Sequence, residues 1–221
     1  MVCVSIGDVT VDDCLRILEE VEFAEIRMDR LEIKKKDVKR IFSAHKNLVA
    51  TFKEGHAPQK KREDFLIEAI EQGAAYVDVD LNSPKNFFLR VSRKAREKGT
   101  KLIVSYHNFE RTDSLPELIE IASLCLSTGD YGKISCMVNE DEDNLSLLKL
   151  LKIPEFKGKI IVIGMGEKGK ITRILSPILG SPFTFACYKK GKEMAEGQVQ
   201  MDTLSEMLSL LLEAKGCGST Q

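Results

Sequence analysis

Two kinds of apolar segment alternate along the whole chain. Short segments rich in Val, Ile and Phe have the continuous or alternating pattern of buried strands, and longer ones repeat apolar residues at helical spacing. The predicted strands are residues 2–6, 23–28, 47–52, 75–80, 101–107, 131–138, 159–165 and 182–187. The predicted helices are residues 11–20, 36–44, 62–72, 85–98, 115–127, 142–151, 169–178 and 201–214. This alternation predicts eight successive β–α units.

Three motifs mark the start of predicted helices. Ser114-Leu-Pro-Glu117 and Thr203-Leu-Ser-Glu206 place a hydroxyl residue three positions before a glutamate, which is the capping-box pattern. The acidic run Glu140-Asp-Glu-Asp143 also indicates a helix N-terminus, where the helix dipole favours negative charge, rather than a metal site.

Eight β–α units in one domain predict a (β/α)8 TIM barrel, α/β in class and at the compact end of the usual size range. An open doubly wound sheet would be indicated by Gly-x-Gly-x-x-Gly after the first strand, but Ile6-Gly-Asp-Val-Thr10 has a single glycine. The glycines at 164, 166 and 169 instead follow the seventh strand, where barrels often bind an anion. We expect a single catalytic domain over residues 1–215 and a frayed tail over residues 216–221.

The composition restricts the partners and the location that we expect. Lys+Arg number 33 and Asp+Glu number 34, so the near-zero net charge gives no sign of nucleic-acid or membrane binding. No segment approaches the roughly 18 apolar residues of a membrane span, and the N-terminus has a strand pattern rather than that of a signal peptide. The six cysteines form no Cys-x-x-Cys pair and mostly lie in apolar segments, as reduced core cysteines do. These features predict a soluble cytoplasmic protein.

Polar side chains recur at every second position in six of the predicted strands. Because strand side chains alternate between faces, each of these strands has one apolar face and one polar face. In a barrel the helices cover the apolar face, so the polar set is expected to point inward near the C-terminal mouth, where active sites of this fold lie. The set consists of Ser5, Glu25, Arg27, Asp29, Thr51, Lys53, Asp78, Asp80, Ser105, His107, Lys133 and Ser135.

Lys133 is the leading candidate for chemistry. It is the only charged residue in the apolar segment 131–138, and removing an unpaired ammonium from water costs on the order of several kcal/mol. Burial would lower the lysine pKa from roughly 10.4 and leave a neutral amine that can form a Schiff base with a ketone or aldehyde. His107 ends another apolar segment, and its imidazole suits proton transfer. The two residues indicate covalent carbonyl chemistry.

The same residues also allow interpretations without catalysis. Lys133 could be paired with Asp78 or Asp80 and be chemically silent. Glu25 and Arg27 could form an internal ion pair that only stabilises the barrel. No spacing of His, Cys and Asp resembles a metal site.

Six motifs in register make the chain resemble type I 3-dehydroquinate dehydratase, an enzyme of the shikimate pathway. The resemblance covers nearly the whole length, and the motifs together are specific although each alone is weak. They are Glu25-Ile-Arg-Met-Asp29, Thr51-Phe-Lys-Glu-Gly55, Ser105-Tyr-His-Asn-Phe109, Lys133, Gly169-Lys-Ile-Thr-Arg173 and Ala195-Glu-Gly-Gln198.

The resemblance implies a lyase mechanism that needs no metal or organic cofactor. Lys133 would form an imine with the C3 ketone of 3-dehydroquinate. His107 would remove a C2 proton and later protonate the departing C1 hydroxyl, giving 3-dehydroshikimate, and Glu54 would lie beside His107. The expected partner is this small-molecule substrate, with a homodimer as the assembly that relatives often adopt.

The resemblance also implies a set of substrate-binding residues. Arg173 would bind the substrate carboxylate through its guanidinium fork, and Gln198 would hydrogen-bond the same end. Glu25 and Arg27 would bind the ring hydroxyls. The full implied set is Ser5, Glu25, Ile26, Arg27, Lys53, Arg173, Met194 and Gln198.

The chain departs from the family pattern in three respects. Lys53 stands where relatives usually have arginine, so a point charge replaces a fork. Met194 stands where relatives have serine, which removes a hydroxyl contact. The chain also starts directly on the first strand, without the N-terminal hairpin common in bacterial relatives.

Two other functions remain open from the sequence. A class I aldolase or transaldolase also uses a strand lysine in a barrel, but its substrates usually carry phosphate. The segment Gly164-Met-Gly-Glu-Lys-Gly169 would be a poor phosphate cradle because of its glutamate. The second alternative is a non-catalytic barrel that binds a small acid.

Overall fold

The computed structural model describes residues 1–217. The strands are β1 Val2–Ile6, β2 Ala24–Arg27, β3 Leu48–Thr51, β4 Tyr76–Asp80, β5 Lys101–Asn108, β6 Tyr131–Met137, β7 Ile160–Met165 and β8 Thr184–Cys187. The helices are α1 Val11–Glu20, α2 Lys35–Ala44, α3 Gln59–Glu71, α4 Lys85–Lys98, α5 Leu115–Thr128, α6 Asp141–Lys149, α7 Lys170–Leu179 and α8 Met201–Cys217. Every predicted strand and helix is present, with ends that shift by three residues at most.

The strand order confirms the predicted (β/α)8 barrel. Neighbouring strands follow the order β7-β6-β5-β4-β3-β2-β1-β8, so consecutive strands from β1 to β7 lie side by side and β8 lies beside β1. The pairing is parallel, with Ser5 opposite Glu25 and Arg27 opposite Thr51. Residues in register on adjacent parallel strands point to the same face, so this register keeps the polar positions of the strands together.

The chain divides into two compact units, each with a part of the expected polar set. The N-terminal unit comprises Val4–Tyr106 and Leu124–Gly132. The C-terminal unit comprises Met1–Cys3, His107–Ser123 and the chain from Lys133 onward. The single domain over residues 1–215 stays a prediction.

Local sequence explains the helix ends of the N-terminal unit. The Thr10 hydroxyl accepts a hydrogen bond from the Asp13 amide at 3.1 Å and so satisfies a free donor at the start of α1. Helix α4 ends at Gly99, whose φ of 75° is a left-handed conformation that glycine adopts without a side-chain clash. These signals mark the ends of the connections from β1 to α1 and from α4 to β5.

Two of the three predicted helix starts in the C-terminal unit are confirmed. The Glu117 carboxylate accepts from the Ser114 amide at 2.9 Å, and Asp143 accepts from the Glu140 amide at 3.1 Å. The third, at Thr203-Leu-Ser-Glu206, is wrong because α8 already begins at Met201. The Leu204 amide donates to the Gln200 carbonyl, so the capping pattern falls inside the first helical turns.

The cysteines lie in the core, as predicted for reduced thiols. Five of them, Cys3, Cys14, Cys125, Cys136 and Cys187, are free and buried, and the side chain of Cys217 lies outside the described set. Burial raises the pKa of the Cys14 thiol to about 12, and it does the same for Cys125 and Cys136. At neutral pH these thiols are protonated and poor nucleophiles.

The expected frayed tail is described only in part. Residues 216 and 217 continue α8, and residues 218–221 lie outside the described residues. Within residues 1–217, no helix has the length and apolar character needed to cross a membrane.

Candidate active site

Lys133 is buried against an aromatic ring in the C-terminal unit. The central residues of strand β6 are buried. Lys133 is one of them and is only 5 % exposed. Its Nζ lies 4.4 Å from the centroid of the Phe185 ring on β8. An ammonium over a ring face is attracted by the quadrupole of that ring. This contact holds the lysine nitrogen at a defined position inside the unit.

His107 is the second-last residue of β5, and the residues after this strand form an ordered turn. The imidazole is half-buried and stacks on the exposed ring of Phe109, with centroids 5.8 Å apart and planes 12° apart. The Asn108 side chain accepts from the amides of Glu110 and Arg111 at 3.1 Å each and donates to Asp113 at 3.0 Å. The turn therefore limits where the imidazole can move.

Arg173 is a buried cation on α7. It is 1 % exposed, which places it among the most buried large side chains of the described residues. Its guanidinium donates to the main-chain carbonyls of Phe185 and Glu196, both at 3.4 Å. Neutral carbonyls orient the guanidinium fork without forming an ion pair with it.

Main-chain atoms of the segment 188–198 contact the Gln198 side chain and the backbone of Gly166. The Met194 amide donates to the Gln198 Oε1 atom at 2.7 Å, and both side chains are 8 % exposed. At Gly197, where φ is 78°, an added Cβ would lie 2.3 Å from the carbonyl oxygen of Gly166. The two backbones can approach this closely only because position 197 has no side chain. With Oε1 engaged by Met194, the Gln198 Nε2 atom is the donor that can turn towards a ligand.

The N-terminal unit contains a buried carboxylate with two hydroxyl donors. Glu25 on β2 is 4 % exposed and accepts from Ser5 Oγ at 2.7 Å and from Thr51 Oγ1 at 2.9 Å. These donors come from the two neighbouring strands, as the register requires. The predicted polar face is therefore confirmed for β1, β2 and β3.

Arg27 is paired with Asp29. Its Nε and one terminal nitrogen donate to the two Asp29 oxygens at 3.0 and 2.6 Å, which is a bidentate ion pair. Burial by itself would raise the pKa of Asp29, but the hydrogen bond and charge of Arg27 lower it overall. Burial by itself would lower the pKa of Arg27. The carboxylates of Asp29 and Glu25 outweigh this effect, so the pKa of Arg27 is raised overall. The pair is ionised at neutral pH.

Lys53 also lies in the N-terminal unit, and like Arg27 it contacts a carboxylate. Its Nζ lies 2.9 Å from Asp78 Oδ1 and 3.3 Å from Ser105 Oγ. Ser105 Oγ in turn donates to the same Asp78 oxygen at 2.7 Å. The Asp78 side chain is fully buried and that of Lys53 is 23 % exposed. Asp78 is therefore a structural partner of Lys53.

Two residues of the expected set have other surroundings. Ile26 is fully buried in register with Ile6 and Ala50, and strand alternation places its side chain on the face opposite Glu25 and Arg27. The substrate-binding role of Ile26 stays a prediction.

Glu54 lies in the irregular loop after β3. Its side chain is 63 % exposed and lies 3.7 Å from the guanidinium of Arg62. The irregular loop supplies no strand alternation from which its direction could have been predicted. The role of Glu54 beside His107 stays a prediction.

Phe185 is a site residue that the sequence analysis missed. It is 2 % exposed on β8, and it contacts Lys133 through its ring and Arg173 through its carbonyl. Alternation places Phe183 and Phe185 on one face of the β8 segment, but it does not indicate that a lysine nitrogen lies over the Phe185 ring. Among the described residues, no group of three or more His, Cys, Asp and Glu side chains could hold a metal ion.

Comparisons with known proteins point to one family. The family model described as type I 3-dehydroquinase matches residues 2–215. The chain is 38 % identical to the 3-dehydroquinate dehydratase of Methanocaldococcus jannaschii, over 96 % of this chain and 99 % of the relative.

Solved structures agree with the family match. The type I 3-dehydroquinate dehydratase of Clostridium difficile, solved with covalently modified comenic acid, superposes with a TM-score of 0.84 at 26 % identity. That superposition covers 96 % of this chain and 92 % of the other. The 3-dehydroquinate dehydratase of Aquifex aeolicus gives a TM-score of 0.80 at 27 % identity, over 94 % and 96 % of the two chains.

Proposed function

The chain belongs to the type I 3-dehydroquinase family, and we propose that Lys133 carries its reaction, the dehydration of 3-dehydroquinate to 3-dehydroshikimate. The observation that carries the assignment to Lys133 is its burial, at 5 % exposure, with Nζ over the Phe185 ring. Family membership decides against the aldolase and the non-catalytic barrel that the sequence alone left open.

Imine formation explains why a buried amine is needed. The Lys133 lone pair forms a bond to C3 of the substrate, the ketone oxygen leaves as water with one proton supplied by the solvent, and the nitrogen remains as a protonated imine. This cation withdraws electrons from C2, so that a C2 proton becomes acidic. Hydrolysis of the product imine later consumes one water and restores the lysine, so the net change is the loss of one water from the substrate.

We assign both proton transfers to His107. The imidazole takes the C2 proton, and the resulting enamine expels the C1 hydroxyl, which leaves as water with a proton returned by the imidazolium. Histidine suits both steps because its ordinary pKa is close to neutral pH. The ordered turn at Asn108 supports this role because it restricts the ring.

The remaining residues are proposed to bind the substrate. Arg173 would bind the carboxylate, because its oriented fork matches two carboxylate oxygens, and Gln198 would donate through Nε2. For the ring hydroxyls we propose Glu25, Arg27 and Lys53. Ser5 supports Glu25 directly through its 2.7 Å hydrogen bond. Met194 contributes its amide, which orients Gln198, in place of the serine hydroxyl of relatives.

Borohydride trapping tests the assignment to Lys133. Incubation with 3-dehydroquinate and borohydride should increase the intact mass of the chain by one reduced substrate. Lys133→Ala should abolish this increase, and Lys101→Ala, which removes an exposed lysine paired with Asp130, should retain it. An unchanged mass increase in Lys133→Ala would refute the assignment.

Location and assembly remain predictions. The enzyme acts on a small molecule, and a cytoplasmic location is our proposal for where it does so. We also propose a homodimer, which multi-angle light scattering of the purified chain would test: a mass near 24.8 kDa would contradict it.

A further inference from the structure

We propose that Phe185 is a positioning residue for Lys133. The face of its ring holds the lysine nitrogen and stabilises the positive charge that appears on this nitrogen when the neutral amine becomes a protonated imine. This inference rests on the proposed function of Lys133 and adds to it a group that selects the cationic states of the nitrogen.

The geometry is that of a cation–π contact. The Nζ-to-centroid distance of 4.4 Å lies within the roughly 6 Å over which a cation is attracted to an aromatic face. Lys133 is 5 % and Phe185 2 % exposed, so little water screens the attraction. Desolvated contacts of this kind are stronger than exposed ones.

Neighbouring groups fix the ring in place. Phe183 packs edge-on against Phe185, with centroids 5.5 Å apart and planes 62° apart, and Phe183 is 1 % exposed. The Phe185 carbonyl accepts a hydrogen bond from Arg173 at 3.4 Å. One residue of β8 therefore contacts both the proposed nucleophile and the proposed carboxylate-binding group, and this linkage fixes the spacing between them.

A ring suits a nitrogen whose bonding changes. An ammonium has three N–H hydrogens and a protonated imine has one, so a hydrogen-bonded carboxylate would lose partners when the imine forms. The ring attracts positive charge whatever the number of N–H hydrogens. Phe185 therefore stabilises the protonated imine more than the neutral amine from which it forms.

A fluorination series at position 185 tests the proposal. Replacing Phe185 by 4-fluoro-, 3,5-difluoro- and 3,4,5-trifluorophenylalanine withdraws electron density from the ring face and changes its shape very little. The readout is the concentration of 3-dehydroquinate that gives half-maximal adduct in a short borohydride pulse of fixed length. We expect this concentration to rise with each fluorine, by about 3- to 30-fold across the series. Phe185→Leu, which is apolar without a ring, should be at least as impaired as the trifluorinated variant.

The same series at Phe183 is the matched control. Phe183 touches the Phe185 ring, so its fluorination would reproduce a packing effect, and we expect no trend there. An adduct on Lys133 with no trend at position 185, or with equal trends at both positions, would overturn the role of Phe185 and leave the function of Lys133 intact. Absence of the Lys133 adduct in the unsubstituted enzyme would instead overturn the proposed function itself.

Discussion

The proposed site cations of the two units contact different kinds of group. In the N-terminal unit, Lys53 lies 2.9 Å from a buried carboxylate of Asp78, and Arg27 donates twice to Asp29. A carboxylate fixes a cation by charge and by hydrogen bonds, and it keeps that cation protonated. This arrangement suits groups that bind hydroxyls and do not change during the reaction.

In the C-terminal unit, an aromatic ring and carbonyl oxygens contact the two proposed site cations. Lys133 lies over Phe185, and Arg173 donates to main-chain carbonyls. These contacts fix position without requiring a particular number of N–H hydrogens on the nitrogen. Lys53 therefore lies beside a carboxylate and Lys133 over an aromatic ring, and the ring contact remains favourable after a C–N bond has formed.

The largest expected effect separates the two lysines. Lys133→Ala should lower kcat by at least ~1,000-fold, because the nucleophile is lost, whereas Lys53→Ala should mainly raise KM. Steady-state kinetics measure both, and circular dichroism checks that each variant folds. An inactive Lys53→Ala beside an active Lys133→Ala would reverse the comparison.

His107→Ala should have the next largest effect. Loss of the acid–base group should lower kcat by roughly 100- to 10,000-fold and still allow the borohydride adduct, because imine formation does not require the C2 proton transfer. Turnover and intact mass measured on one preparation test this. If the variant formed no adduct, His107 would be needed for attack on the ketone as well.

Arg173→Lys tests whether the guanidinium fork acts on the substrate ground state. The charge is kept and the second hydrogen bond is lost, so KM should rise by about 10- to 100-fold with a small change in kcat. Kinetics with Lys168→Arg as a surface control would measure this. A change confined to kcat would place the contact in the transition state instead.

Lys53→Met should destabilise the fold, because it leaves the Asp78 carboxylate buried without this cation. We expect a loss of about 2 kcal/mol in the free energy of unfolding, less than for a fully buried pair because Lys53 is 23 % exposed. Urea unfolding measures it, and the double variant Lys53→Met/Asp78→Asn should recover most of the loss. No recovery in the double variant would show that Lys53 stabilises the unit in another way.

The smallest expected effect is the acid response of the Arg27–Asp29 pair. The folded pKa of Asp29 lies below its ordinary 3.8, so the pair stabilises the fold fully above that pH and progressively less as pH falls through the folded pKa. Urea midpoints between pH 5 and pH 2 should therefore fall more steeply for the natural chain than for Asp29→Asn. Equal slopes for the natural chain and for Asp29→Asn would contradict the lowered pKa of Asp29.

The positions of the strands and helices could be predicted because the spacing of apolar residues along the chain differs between the two kinds of element. The polar face of β1 to β3 was predictable for the same reason, since Ser5, Glu25 and Thr51 obey strand alternation. Loops have no such period, so the contact of Glu54 with Arg62 could not be derived.

The capping prediction at Thr203 and the omission of Phe185 have a shared cause. A hydroxyl three residues before a glutamate is compatible with a helix interior, so the motif alone does not fix the start of α8. A phenylalanine in an apolar strand looks like any core residue until the position of a lysine nitrogen is known. The start of α8 and the contact of Phe185 with Lys133 both depend on neighbours in three dimensions, which residue spacing and short motifs do not specify.

The most direct test is a crystal structure of the enzyme reduced by borohydride in the presence of 3-dehydroquinate. We predict continuous electron density from Lys133 Nζ to C3 of the former ketone, with the nitrogen still over the Phe185 ring. Density that joins the substrate to Lys53 or to another lysine would contradict the account.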